Sequence, residues 1–119
     1  MSYTFFIYSS PFYSAVPWEA CELAKALLLK QHVIHAAFFY ADAVWLADKN
    51  SEPIQDVSQA WSNLAISAKF PCYACISSVM RRDIVKDEAD THALRPGFSL
   101  SSLTEFIALK RESERVLSF

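Results

Sequence analysis

Glycine is almost missing from this chain of 119 residues, with Gly97 its single instance. Walker-type phosphate loops and dinucleotide fingerprints need several glycines so that backbone can approach a phosphate. Both are excluded by count, and nucleotide phosphates drop out as expected substrates. Charge is sparse and balanced, since 11 Lys+Arg against 13 Asp+Glu leave a formal net charge of −2. A domain held to nucleic acid through phosphates normally carries a strong basic excess, which this composition lacks. Cysteine is limited to Cys21, Cys72 and Cys75, too few and too unevenly placed for a secreted disulfide framework. Free thiols in a reducing cytoplasm are expected. Long apolar runs are lacking as well. Residues Met1 to Trp18 carry no charge, but they have no basic start of the signal-peptide kind. Pro11, Pro17 and four serines break them well short of the roughly 20 residues of a spanning helix.

What remains is a globular composition, 53% apolar and 20% charged, enough to build one core in a single domain over residues 1–119. Tyr3 to Tyr8 is an aromatic and β-branched run and predicts a buried strand, ended by Ser9-Ser10-Pro11. From about Pro17 to Gln31, Ala20, Leu23, Ala24, Leu27 and Leu28 recur at helical spacing, with Pro17 suited to the first turn and Glu19 to the positive helix start. Val33 to Tyr40 is a second apolar run, so strand, helix and strand follow within about 40 residues as a βαβ unit. Residues 47–56 read as a surface loop, and Asp56-Val57-Ser58-Gln59 as a capping box opening a helix to about Lys69. Pro71 stops that helix, Cys72 to Ile76 starts a third strand, and Arg81-Arg82-Asp83 reads as a helical turn. Asp83 to Leu94 has no clear period and stays unassigned. Ser102-Leu103-Thr104-Glu105 is a second capping box, for a helix ending near Ser113, and Arg115 to Phe119 closes as a strand. The sum is a three-layer α/β/α sandwich with a four- or five-stranded mostly parallel sheet. Reactive groups in such sheets collect beyond the carboxyl ends of the strands, here Ser9 to Tyr13, Tyr40 to Val44 and Cys75 to Ser78. Only the last of these carries a nucleophile.

Cys72-Tyr73-Ala74-Cys75 satisfies the C-x-x-C pattern of a dithiol or of half a zinc site. On one strand, an offset of three puts the two side chains on opposite faces, with Cα atoms about 10 Å apart. A disulfide requires less than about 7 Å. His32 and His35 could complete a four-ligand set, but the usual doubly wound order places the first strand between the second and third, about 10 Å of separation. His32 is expected in a loop, His35 partly buried in its strand, and His92 solvated. Cys21 and Cys72 read as small core residues. Cys75 differs, since it ends a strand just before a helical turn, with Arg81 and Arg82 close behind. Such surroundings lower a thiol pKa and favour thiolate at a solvent-reachable edge. A core cysteine is the competing reading, and pattern alone leaves both open.

In order, several strings resemble the DsrE/TusD family, most closely its TusD branch, along nearly the whole chain. They are Ser10-Pro11-Phe12-Tyr13, Ala24-Lys25-Ala26-Leu27-Leu28, Val33 to Val44 with Phe38-Phe39-Tyr40, Cys75-Ile76-Ser77-Ser78-Val79-Met80-Arg81-Arg82, Gly97-Phe98-Ser99-Leu100, and the closing Arg115 to Phe119. Asp42-Ala43-Val44 stands where the family often has Asp-Gly-Val, Asp83 where it often has glycine, and Cys72 is additional. The resemblance implies a DsrEFH-like fold and a sulfurtransferase whose acceptor is Cys75, seven residues before Arg82, with Arg81 and Arg82 as thiolate stabilisers. It implies no metal and no organic cofactor. It further implies a cytoplasmic hetero-oligomer with TusB- and TusC-like subunits, an upstream TusA-like donor and a downstream TusE-like acceptor, in a relay that ends in 2-thiolation of the tRNA wobble uridine. Neither direct nucleic-acid contact nor a membrane is expected. A DsrE-like role in dissimilatory sulfur oxidation, a non-catalytic assembly subunit and a Cys72/Cys75 oxidoreductase are the alternatives.

Overall fold

Alternation of large apolar side chains along the opening run lets β1, Ser2–Ile7, bury both its faces. In the computed structural model, which describes residues 1–90 and 92–119, Phe5 and Ile7 are sealed on one side while Phe6 packs half-buried on the other. Helix α1, Val16–Leu29, starts with Pro17 in its first turn, where the missing N–H is no loss, and buries Ala20, Cys21 and Ala24. Strand β2, Val33–Phe39, follows. Helix α2, Gln55–Ala68, turns Trp61 and Ala65 inward and ends at Lys69 in a left-handed conformation (φ 60°). Then come β3, Cys72–Cys75, and the short α3, Ile76–Arg81. The chain closes with β4, Phe98–Ser101, α4, Leu103–Glu112, and β5, Arg115–Ser118.

The five strands are all parallel in the order β4-β3-β2-β1-β5. Helices α1 and α2 cover one face, where Trp61 meets Phe39 edge-on at 5.3 Å and Phe5 at 6.1 Å. Its indole N–H donates to the Pro17 carbonyl at 3.0 Å and so ties α2 to the start of α1. Helix α4 covers the other face, with Phe106 against Phe6 at 4.8 Å and Phe38 at 5.0 Å. Edge-to-face and offset rings of this kind supply much of the cohesion of a small core.

Several expectations are corrected. The capping box at Asp56 does not form. A 3-10 turn, Glu52–Ile54, runs straight into α2, and its Glu52 carbonyl receives the Gln55 N–H, so the helix begins before Asp56 without a side-chain cap. A longer 3-10 helix, Ala41–Ala47, follows β2, and the loop expected over 47–56 shrinks to a few residues before the turn Glu52–Ile54. The third strand ends at Cys75 rather than Ile76, and Ile76 opens α3, so the helix precedes Asp83 instead of centring on Arg81-Arg82-Asp83. The strand Phe98–Ser101 carries the sheet to five. The order places β2, not β1, beside β3, because each new strand on this side is laid down at the growing edge. Within the unassigned stretch Asp83 to Leu94, Ile84, Val85 and Leu94 are buried without regular structure, His92 is exposed, and Thr91 lies outside the described residues. No helix among the described residues is long and apolar enough to cross a membrane.

Candidate functional site: a hydroxyl-bonded thiol at the end of strand β3

Parallel strands deliver their carboxyl ends to one edge of the sheet, and β3 is short enough that Cys75 is both its last residue and the N-cap of α3 (φ −62°, ψ 123°). That double position lets the next two polar residues fold back on the sulfur. Ser77 Oγ lies 3.3 Å from Cys75 Sγ. The Ser78 hydroxyl and the backbone N–H groups of Ser78 and Ser77 lie on the same side and, without closing a capping bond to the sulfur, add to the pull toward thiolate. Burial is the largest single influence on the thiol and raises its pKa, but these four donor groups together outweigh it and the net shift is downward. The Ser78 oxygen accepts the Ala41 N–H at 3.1 Å, which leaves its own proton free for the sulfur. Ala41 reaches that position with φ 52°, a left-handed conformation that a side chain makes costly, by about 1 kcal/mol or more.

The other two cysteines go the opposite way. Cys72 is fully buried and its thiol is pushed far up by loss of solvent, with the nearby Cys21 adding to the effect. Cys21 is raised to about 11, mainly by burial, with Lys25 opposing and Glu22 assisting. Both belong to the core, and all three cysteines are free. Cys72 and Cys75 occupy the two ends of one continuous strand, with side chains on opposite faces.

Two expectations about the site change. Cys75 is only 1% exposed in the isolated chain, so the thiol is covered rather than solvent-reachable. The 3-10 helix Ala41–Ala47 packs on both β3 and α3 and closes over this corner. The stabilisation expected from Arg81 and Arg82 comes instead from the serines. Arg82 donates to one Asp42 carboxylate oxygen from Nε (3.1 Å) and from a terminal nitrogen (2.8 Å), and to the Ser78 carbonyl at 3.1 Å. It clamps the 3-10 helix to α3 and is not among the groups that shift the thiol. Arg81 is exposed and makes no side-chain hydrogen bond among the described residues.

The three segments expected at the carboxyl edge do converge. Phe12 of the first meets Trp45 at 5.9 Å, while Ala41 and Asp42 of the second meet Ser78 and Arg82. His32 lies at the other end of the sheet, beside the Met1 amino group (3.3 Å) and edge-on to Tyr3, and His35 is in the early part of β2. Although β2 adjoins β3, the histidines and Cys75 are therefore at opposite ends. Among the described residues no group of three or more His, Cys, Asp or Glu is placed to hold a metal ion. Sequence reasoning missed Asp42 and the individual serine contacts. Two hydroxyls two and three residues after a cysteine at a strand-to-helix junction were the available signal, whereas a partner 40 positions from Arg82 left none.

The chain matches the DsrE/DsrF-like family over residues 1–119. It is 27% identical, over the full length of both chains, to the sulfurtransferase TusD of Buchnera aphidicola from Acyrthosiphon pisum. To a protein named DsrE from Allochromatium vinosum it is 27% identical over 100% of this chain and 98% of that one. The crystal structure of the ychN protein from E. coli superposes with a TM-score of 0.84 over 100% of this chain and 99% of the other, at 20% identity, which speaks for the fold. A sheet of five parallel strands, helices on both faces and a match along every residue lead to one statement: this chain belongs to the DsrE/DsrF-like family.

Proposed function

We propose that this chain, a sulfurtransferase, carries sulfur as a persulfide on Cys75. The observation that supports this most is the contrast among three thiols, since only Cys75 is shifted toward thiolate and the other two are pushed away from it. The thiolate attacks the outer sulfur of a donor persulfide, R–S–SH. The donor S–S bond breaks, a Cys75 Sγ–S bond forms, and R–S⁻ leaves, so sulfur and its proton move with no net oxidation. An acceptor thiolate then repeats the step on the outer sulfur and returns Cys75 as thiolate. Exchange of this kind depends on thiolate fraction, nucleophilicity and access. The buried position makes access the controlled quantity, through the contact of Ala41–Ala47 with α3.

By likeness to TusD proteins, the proposed donor is a TusA-like carrier and the acceptor a TusE-like one. The proposed assembly includes TusB- and TusC-like subunits in the cytoplasm, and the end product is 2-thiolated wobble uridine in tRNA. The DsrE-named relative, matched at the same identity, favours a second reading in which the same cysteine serves sulfur oxidation. Cys75→Ser is expected to abolish sulfur loading from a persulfidated donor, while Cys72→Ser retains it. Undiminished loading of the Cys75→Ser chain in thiol-trapping mass spectrometry refutes the reading. Co-purification from the native host separates the two roles. Two small relatives of this fold support the relay, and sulfite-reductase components support oxidation.

A further inference from the structure

Ser101 is the last residue of β4 and the ladder partner of Cys75. Neighbouring strands run about 4.8 Å apart, and paired residues in a parallel ladder project to the same side. Ser101 is 1% exposed, and its hydroxyl has no hydrogen-bond partner. An unpaired buried hydroxyl is a standing cost to the fold and calls for a reason. It does not serve the resting thiol, whose bonds come from Ser77 and Ser78. A sulfur added to Cys75, however, lies about 2 Å beyond Sγ. A cleft of about 210 Å³ opens beside Ser101, walled by Tyr73 and Ser101 from the strands and by Ala108 and Leu109 from α4, with Cys75 one ladder step behind its Ser101 wall. Tyr73 shares the Cys75 side of β3 by the two-residue strand period. The exposed Glu105 and Glu112 complete the cleft wall.

We propose that the Ser101 hydroxyl holds the outer sulfur of the Cys75 persulfide, donating a hydrogen bond to it once it is loaded. The orphan donor then has its partner only in the loaded state, and the chain favours retention of sulfur over its loss to solvent thiols. The proposal rests on the reading of Cys75 as the sulfur acceptor.

The test equilibrates the full chain, Ser101→Ala, Ser101→Thr and Cys75→Ser with glutathione persulfide and glutathione. In this exchange the glutathione S–S bond breaks, the Cys75 Sγ–S bond forms and glutathione thiolate is released. Mass spectrometry of trapped thiols gives the loading constant at Cys75. Ser101→Ala is expected to lower that constant by about tenfold, the scale of one hydrogen bond to a charged group. Ser101→Thr, which keeps the hydroxyl, restores most of it. The melting temperature of Ser101→Ala stays the same or rises, because an unpaired buried hydroxyl is removed and no existing bond is lost, and the thiolate titration of unloaded Cys75 stays unchanged. An unchanged loading constant in Ser101→Ala overturns the role of Ser101 and leaves Cys75 as acceptor. A fall in melting temperature, or a moved thiolate titration, that accounts for the loss also overturns it, since Ser101 then acts on the fold or the resting thiol. Failure of the unmodified chain to load Cys75 removes both readings together.

Discussion

Removal of the two hydroxyls that face Cys75 separates the influence of serine from that of burial. Ser77→Ala deletes the 3.3 Å contact to Sγ, and Ser78→Ala deletes a second donor together with the acceptor for the Ala41 N–H. Hydrogen bonds to charged groups contribute about 1.5–3 kcal/mol when sheltered. Ser77 is exposed, so water replaces part of its contribution and about 1 kcal/mol is lost, a roughly fivefold fall in the thiolate-to-thiol ratio at fixed pH. Ser78 is 5% exposed, and the fall is about tenfold or more. The sign is set by the state stabilised: a lost donor disfavours thiolate, so the titration midpoint rises in both variants. Loading rates fall less than the ratio does, because a more basic thiolate is a better nucleophile with a Brønsted coefficient of about 0.4–0.5. The expected losses are about two- to threefold for Ser77→Ala and about three- to fourfold for Ser78→Ala. Ultraviolet thiolate absorbance, taken as the difference between each chain and its Cys75→Ser counterpart, reads the titration without requiring a reagent to enter. A Ser78→Ala midpoint that stays put or moves down refutes the electrostatic account.

Three further outcomes are expected. Cys21 and Cys72 have raised folded-state pKa values, so their contribution to stability is complete below about pH 9 and is lost as pH rises, for Cys21 through about 11. Each steepens the alkaline loss of unfolding free energy by up to about 1.4 kcal/mol per pH unit, and Cys72→Ala flattens that slope in urea melts between pH 9 and 11 relative to the unmodified chain. Asp42→Asn weakens the clamp between the 3-10 helix and α3; the pair is partly exposed, which limits its value to at most about 1 kcal/mol. Alkylation of Cys75 by iodoacetamide then accelerates up to about fivefold with an unchanged thiolate midpoint, and a moved midpoint contradicts the assignment of Arg82 as a clamp. Ser102→Ala removes a reciprocal capping box from α4, a helix without a fully buried residue, and lowers stability by about 1 kcal/mol, about 4 °C in thermal melts.

The local chain was enough to define β1, α1 and β2, because Phe5, Ile7, Ala20, Ala24 and the run to Phe39 repeat at the periods their elements require. The capping box at Ser102 was legible for the same reason, since its partners lie within three residues, and so was the place of Cys75 at a strand end before a helical turn, though not its serine contacts. Strand β4 was not, because Phe98-Ser99-Leu100-Ser101 is four residues long and half serine, and only its ladder with β3 makes it a strand. The Asp56 cap failed because the Pro53 turn upstream fills the same role with a backbone carbonyl. Strand order, the covering of Cys75, the Asp42–Arg82 clamp and the neighbouring Ser101 all join residues 26 or more positions apart. Short-range spacing carries no information about such pairs, and packing of the sheet and its helices decided them. The amino-acid order thus determined which sulfur stands at a strand end with donors beside it; the tertiary structure decided that this sulfur is enclosed, and which distant groups enclose it.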